Sequence, residues 1–107
     1  MEADAVIREL FARVRASDLA VADLYSEDAV LEVDETPVRG REAIRRYYEG
    51  VIRNETHPEV VEILVRPPLY AARLRVTTPV GEVQVLDLFE VEDGEVRSLR
   101  VFRHAGS

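Results

Sequence analysis

The hydrophobic period changes once, around Thr56-His57-Pro58, and that change constrains the fold more than any other feature of the chain. Before it, apolar residues recur every three to four positions; after it, they alternate. Val6, Ile7, Leu10, Phe11 and Val14 predict an amphipathic helix near residues 2–15. Ser17 or Asp18 caps a second, shorter helix carrying Leu19, Val21, Ala22, Leu24 and Tyr25. A short strand over Ala29 to Asp34 and a break at Thr36–Gly40 lead into a third helix, where Ile44, Tyr48 and Ile52 form a stripe flanked by Ala43, Tyr47 and Val51.

Four strands follow: Val60–Arg66, Tyr70–Thr78, Glu82–Val91 and Glu95–Arg103. They are divided by Pro67-Pro68, by Thr78-Pro79-Val80-Gly81 and by the hairpin turn Glu92-Asp93-Gly94. Helices first and antiparallel strands second predict an α+β domain, its N-terminal helices packed on one face of a curved antiparallel sheet.

At 107 residues the chain is expected to form one domain spanning 1–107. It is 47% hydrophobic and 33% charged, a balance that supports a buried core. The absence of cysteine excludes disulfides, thiolate nucleophiles and Cys-ligated zinc. All 14 basic residues are arginine, so Schiff-base chemistry on lysine is excluded too. A net charge of −7 argues against a nucleic-acid partner, because phosphate neutralisation needs a basic face. No apolar run approaches the ~20 residues of a membrane span, and MEADAVIREL lacks a signal-peptide layout. A cytoplasmic protein is expected. His57 and His104 lie far apart in sequence, both in expected solvated segments; no metal site and no cofactor are expected.

Carboxylates, phenols and arginines remain to carry chemistry. Asp87 shares strand parity with Val83, Val85, Phe89 and Val91, which places a carboxyl group on an apolar face. Either desolvation raises its pKa and keeps it protonated near neutrality, or it pairs with Arg73, Arg75 or Arg103. Tyr25 and Tyr48 each end an apolar helical stripe, and a buried phenol needs a partner for its hydroxyl. Tyr47 reads as a packing or interface residue. Arg103 shares parity with Leu99 and Val101 and is expected either to reach a pocket mouth, pairing with Asp87 or holding an anionic ligand, or to snorkel at the strand end. Arg41, Arg45 and Arg46 alternate with Glu42 and Glu49 as a solvated helix face.

The segments Leu24-Tyr25-Ser26-Glu27-Asp28-Ala29-Val30-Leu31-Glu32 and Val38-Arg39-Gly40-Arg41-Glu42-Ala43-Ile44-Arg45-Arg46-Tyr47-Tyr48 resemble the SnoaL-like and ketosteroid-isomerase-like branch of the nuclear transport factor 2-like (NTF2-like) superfamily. The resemblance implies a cone with a pocket between helices and sheet, and a homodimer formed through the sheet's outer face. It places the isomerases' first-strand proton-shuttling Asp at Val33 and their first-helix oxyanion Tyr at Leu10. Neither residue here does that chemistry, and strand parity turns Glu32 and Asp34 away. Their protonated strand Asp matches Asp87, and supporting tyrosines match Tyr25 and Tyr48. Epoxide hydrolases of the fold carry an Arg two positions before that Asp, where this chain has Val85. Dehydratases of the fold use a pocket His pair, which His57 and His104 do not resemble.

Two functions follow as expectations. One is a cofactor-independent isomerase or cyclase acting on a small apolar or carbonyl-bearing molecule. Asp87 would be its acid/base, with Tyr25, Tyr48, Arg103, Val33, Phe89 and Leu99 around the ligand and Leu74, Val76, Val85 and Val101 completing the wall. The other is a non-catalytic ligand-binding or structural dimer of the same fold.

Overall fold

Five apolar residues at helical spacing bury one face of α1 (Ala3–Arg15), and all five, Val6 to Val14, are in the core. The segment after it is shorter than expected. Leu19–Leu24 forms a 3-10 helix capped by the Asp18 carboxylate, which accepts from the Ala20 N–H at 2.9 Å. Its five apolar residues span only six positions, too few for a stable α-helix, and Tyr25 begins a strand instead of ending a helix.

The computed structural model describes residues 2–103, so His104 lies outside it. Strand β1 (Tyr25–Val33) is followed by β2 (Thr36–Arg39), helix α2 (Arg41–Arg53), and strands β3 (His57–Arg66), β4 (Leu69–Thr78), β5 (Gly81–Glu92) and β6 (Glu95–Arg103). The segment read as a break after β1 is thus itself a strand, β2. Its turn, Asp34-Glu35, has positive φ at both positions (52° and 65°), a type I′ hairpin built without glycine or asparagine. Pro37 is tolerated because β2 lies at the sheet edge. Asp93-Gly94, with φ of 52° and 75°, makes the corresponding turn between β5 and β6 with the residue pair that favours it.

The sheet order is β2-β1-β6-β5-β4-β3. Strands β3 to β6 run antiparallel as the alternation predicts, but β1 lies parallel to β6, so the sheet is mixed. Alternation says which face a residue takes and nothing about which strand lies beside it. Register shifts in β1, β3 and β6 bend the sheet around the helices. The largest shift falls between Tyr25 and Val30, where the Tyr25 carbonyl accepts two bonds from Arg41, at 3.0 and 2.8 Å. Arg41 is therefore a brace between α2 and β1 and not part of a solvated face. Behind the bend, Phe11 meets Phe89 edge to face with centroids 5.9 Å apart, fastening α1 to β5. No helix among the described residues is long and apolar enough to cross a membrane.

Candidate active site

Strand pairing, antiparallel from β4 to β6 and parallel between β6 and β1, aligns the inward-facing residues into rungs. One rung joins Leu74, Val85 and Arg103; the next joins Ala72, Asp87, Val101 and Val33; the third joins Tyr70, Phe89, Leu99 and Leu31. Solvent exposure along β5 falls from 43% at Val83 to 8% at Val85, 4% at Asp87 and 0% at Phe89. The strand therefore runs from an open mouth to a solid core, and Asp87 stands where one becomes the other.

Between sheet and helices lies a cavity of about 430 Å³. Phe11 and Val14 of α1, and Tyr47, Tyr48, Gly50 and Val51 of α2, form its helical side. Leu74, Val76, Val85, Leu99, Val101 and Val33 supply most of the sheet side, with Asp87 among them. Asn54, Thr56, Thr78 and Arg103 add polar groups. Val33 and Asp87 thus face one space, with Val101 between them. Tyr25 and Phe89 do not line it. Both are fully buried one layer further in, because β1 and β5 have by then entered the core.

The environment of Asp87 is almost wholly apolar. Arg73 and Arg75 have the opposite parity on β4 and pair on the outer face, Arg73 with Glu62 and Arg75 with Glu59 and Glu82. Arg103 does reach the cavity, but its guanidinium binds Asp34 and not Asp87. The Asp87 Oδ1 atom is buried and has no hydrogen-bond partner among the described residues. Burial alone pushes this carboxyl up from 3.8 to about 8, so it is mainly the neutral acid at pH 7.

The hydroxyls of Tyr25 and Tyr48 lie 2.6 Å apart. Tyr25 is completely buried, with Tyr48 the only described partner of its hydroxyl; either hydroxyl can donate in this bond, and donation by Tyr25 is the arrangement that leaves no buried proton unpaired on Tyr25. The Tyr48 proton is then left for the cavity that Tyr48 lines. Burial, above all, raises both phenols well beyond the usual tyrosine range.

Tyr47 packs edge to face against Tyr48, centroids 5.2 Å apart, and also lines the cavity, a position its place beside the apolar stripe does not by itself predict. Burial and then the nearby Asp87 push its phenol up to about 12. Ile44, Tyr47, Tyr48 and Val51 follow the i, i+3, i+4, i+7 pattern of one helix face, the signal that would have found it. His57 opens β3 as an exposed residue, away from the lining. Among the described residues no group of three or more His, Cys, Asp and Glu side chains could hold a metal ion.

Relatives extend this description. Residues 7–99 match the family model of the SnoaL-like domain. A steroid Delta-isomerase of Nocardioides simplex is 34% identical over 105 residues, covering 92% of this chain and 85% of that protein. Among solved structures, SalBIII, an epoxide hydrolase/cyclase-like enzyme of pyran ring formation in the polyether salinomycin, superposes with a TM-score of 0.87. It is 22% identical, with 95% of this chain and 90% of that one covered. An NTF2-like protein of Mesorhizobium loti gives 0.83 at 20% identity, over 95% and 90% of the two chains. Those two likenesses concern the fold, whereas the family-model match and the isomerase relative concern descent. The chain belongs to the SnoaL-like family, in the ketosteroid-isomerase-like branch of the NTF2-like superfamily.

Proposed function

We propose that this protein binds a small, mainly apolar, carbonyl-bearing molecule and polarises its carbonyl oxygen with neutral Asp87 and with Tyr48. The observation that carries this reading is the unpartnered Asp87 Oδ1 at the wall of an apolar cavity. A buried polar atom without a partner costs stability, and a bound ligand is one group that can satisfy it. Two donors aimed at one oxygen stabilise the negative charge that develops there when the adjacent carbon loses a proton. Val33 offers no base, so that proton must pass to water or to a group on the substrate. This suits isomerisation or cyclisation through an already acidic carbon. The Nocardioides relative is named as a steroid Delta-isomerase, which fits the same chemistry.

The test has two parts. The Asp87 carboxyl carbon, followed by NMR, should titrate near pH 8, and a midpoint near 3.8 would remove the acid from this role. Conversion of cyclohex-3-enone to its conjugated isomer should be catalysed slowly and fall about a hundredfold in Asp87→Asn. A second reading, ligand binding without turnover, is favoured by the inert Val33 and Leu10. A high carboxyl midpoint with no measurable isomerisation would select it.

The outer face of the sheet supports pairing of two copies, the second part of the proposal. Leu86 and Phe102 face each other across β5 and β6 and are 41% and 44% exposed. Replacing both by glutamate should leave a monomer in sedimentation, with the cavity's ligand affinity unchanged. Unaltered association would place the contact elsewhere.

A further inference from the structure

The cavity has an uneven polarity. Among its described lining residues Asp87 is the only carboxylic acid and Arg103 the only base, and they sit on successive rungs. Asp87 pairs with Val101 and Arg103 with Val85, so their Cα positions are separated by two residues along the strands and one strand spacing across, about 8 Å in all. The length of the arginine side chain adds to that. The space between them is bounded by Val85, Val101 and Leu74. A ligand spanning this arrangement has one protic or carbonyl end, an apolar middle and an anionic far end.

The present partner of Arg103 is a carboxylate. Asp34 sits in the type I′ turn between β1 and β2, its backbone held at positive φ, and its side chain meets the guanidinium at the mouth. Both side chains are more than half exposed, at 52% and 63%, and a pair so well solvated contributes little. Moving the guanidinium from Asp34 to another carboxylate exchanges like for like. A chain carrying −7 does not attract anions as a whole, so any preference for an anionic ligand must come from this one fork of N–H donors.

We propose that Arg103 is a specificity-determining residue that selects ligands bearing a carboxylate at the end remote from Asp87, with Asp34 occupying it when no such ligand is bound. This rests on the cavity being the ligand site and narrows the substrate class to amphipathic acids: an apolar body carrying a carbonyl or hydroxyl at one end and a carboxylate at the other.

The experiment compares two fluorescent probes of one shape, 6-hydroxy-2-naphthoate and its neutral analogue 6-hydroxy-2-naphthamide. The full-length protein should bind the acid about fivefold more tightly than the amide, and the margin should shrink as salt is added. Arg103→Gln should abolish the margin mainly by weakening the acid, and continued binding of the amide within a few-fold shows that the cavity has survived. Asp34→Asn removes the competing charge and suits the positive-φ turn, so it should widen the margin about threefold. Equal affinities in the parent protein, or a margin that persists in Arg103→Gln, overturn the assignment. Asp87→Asn should weaken both probes alike. If it weakens neither while the Arg103 margin holds, the role of Asp87 fails and that of Arg103 stands. If neither probe binds the parent protein, both fail together.

Discussion

Asp87→Leu should make this protein more stable at pH 7, by about 4 kcal/mol, and should destroy its capacity to polarise a carbonyl group. The unfolded chain ionises Asp87 near 3.8, whereas the folded chain holds the proton until about pH 8. Between those values the folded state binds more protons than the unfolded state, so stability falls as pH rises. Each pH unit in this window costs about 1.4 kcal/mol, and the loss ends once the folded carboxyl also ionises. Leucine does not titrate, so the variant escapes the loss. Its advantage should shrink below about 1 kcal/mol at pH 4, where the unfolded carboxyl is itself partly protonated. Urea denaturation of both proteins at pH 4 and pH 7 measures the two differences. A gain independent of pH would mean that leucine helps only by packing. No gain at all would mean that Asp87 is solvated or charge-paired in solution.

Val33→Asp is expected to have the largest effect on rate, in the opposite sense. Position 33 shares the Asp87 rung, with Val101 between, so its Cα lies two strand spacings from that of Asp87, about 10 Å. A ligand whose oxygen rests on Asp87 and Tyr48 would present a neighbouring carbon toward β1. Val33 is only partly buried, and an aspartate there would keep access to water and remain ionised at neutral pH. Adding a positioned base to existing proton donors should raise the isomerisation of cyclohex-3-enone by at least about a hundredfold. The double variant Val33→Asp/Asp87→Asn should lose most of that gain, because the base needs the oxygen to be held. A folded Val33→Asp protein no faster than its parent would show that β1 does not face the reacting carbon.

Periodicity revealed much of this architecture and little of its connectivity. The long strands and the burial of Asp87 were legible because alternation fixes faces: Val85, Asp87 and Phe89 had to share one. The parallel pairing of β1 with β6 was not, since strand neighbours are chosen by how α2 and the intervening turns return the chain. Strand β2 hid behind Pro37 and a turn without glycine. Around the cavity, residue type and spacing put Asp87, Tyr48 and Arg103 on the wall. They did not separate cavity wall from the layer behind it, and so Phe89 and Tyr25 were placed one layer too far forward. Depth along a strand depends on where helices end. Phe11 and Val14 close one part of the cone and leave the other hollow.

That boundary has an evolutionary meaning. On one side of the Asp87 rung, Phe89, Leu31 and Tyr25 are fully enclosed, and truncating such side chains typically costs several kcal/mol. On that rung and beyond it, Val33, Val101, Val85 and Arg103 face the cavity, where a change of side-chain size alters the open volume before it opens a void in the packing. Mutations can accumulate there without drawing on the stability that the enclosed half supplies. A descendant could thus acquire a base, lose an acid or accept a different ligand through one or two substitutions, with the same folded scaffold beneath.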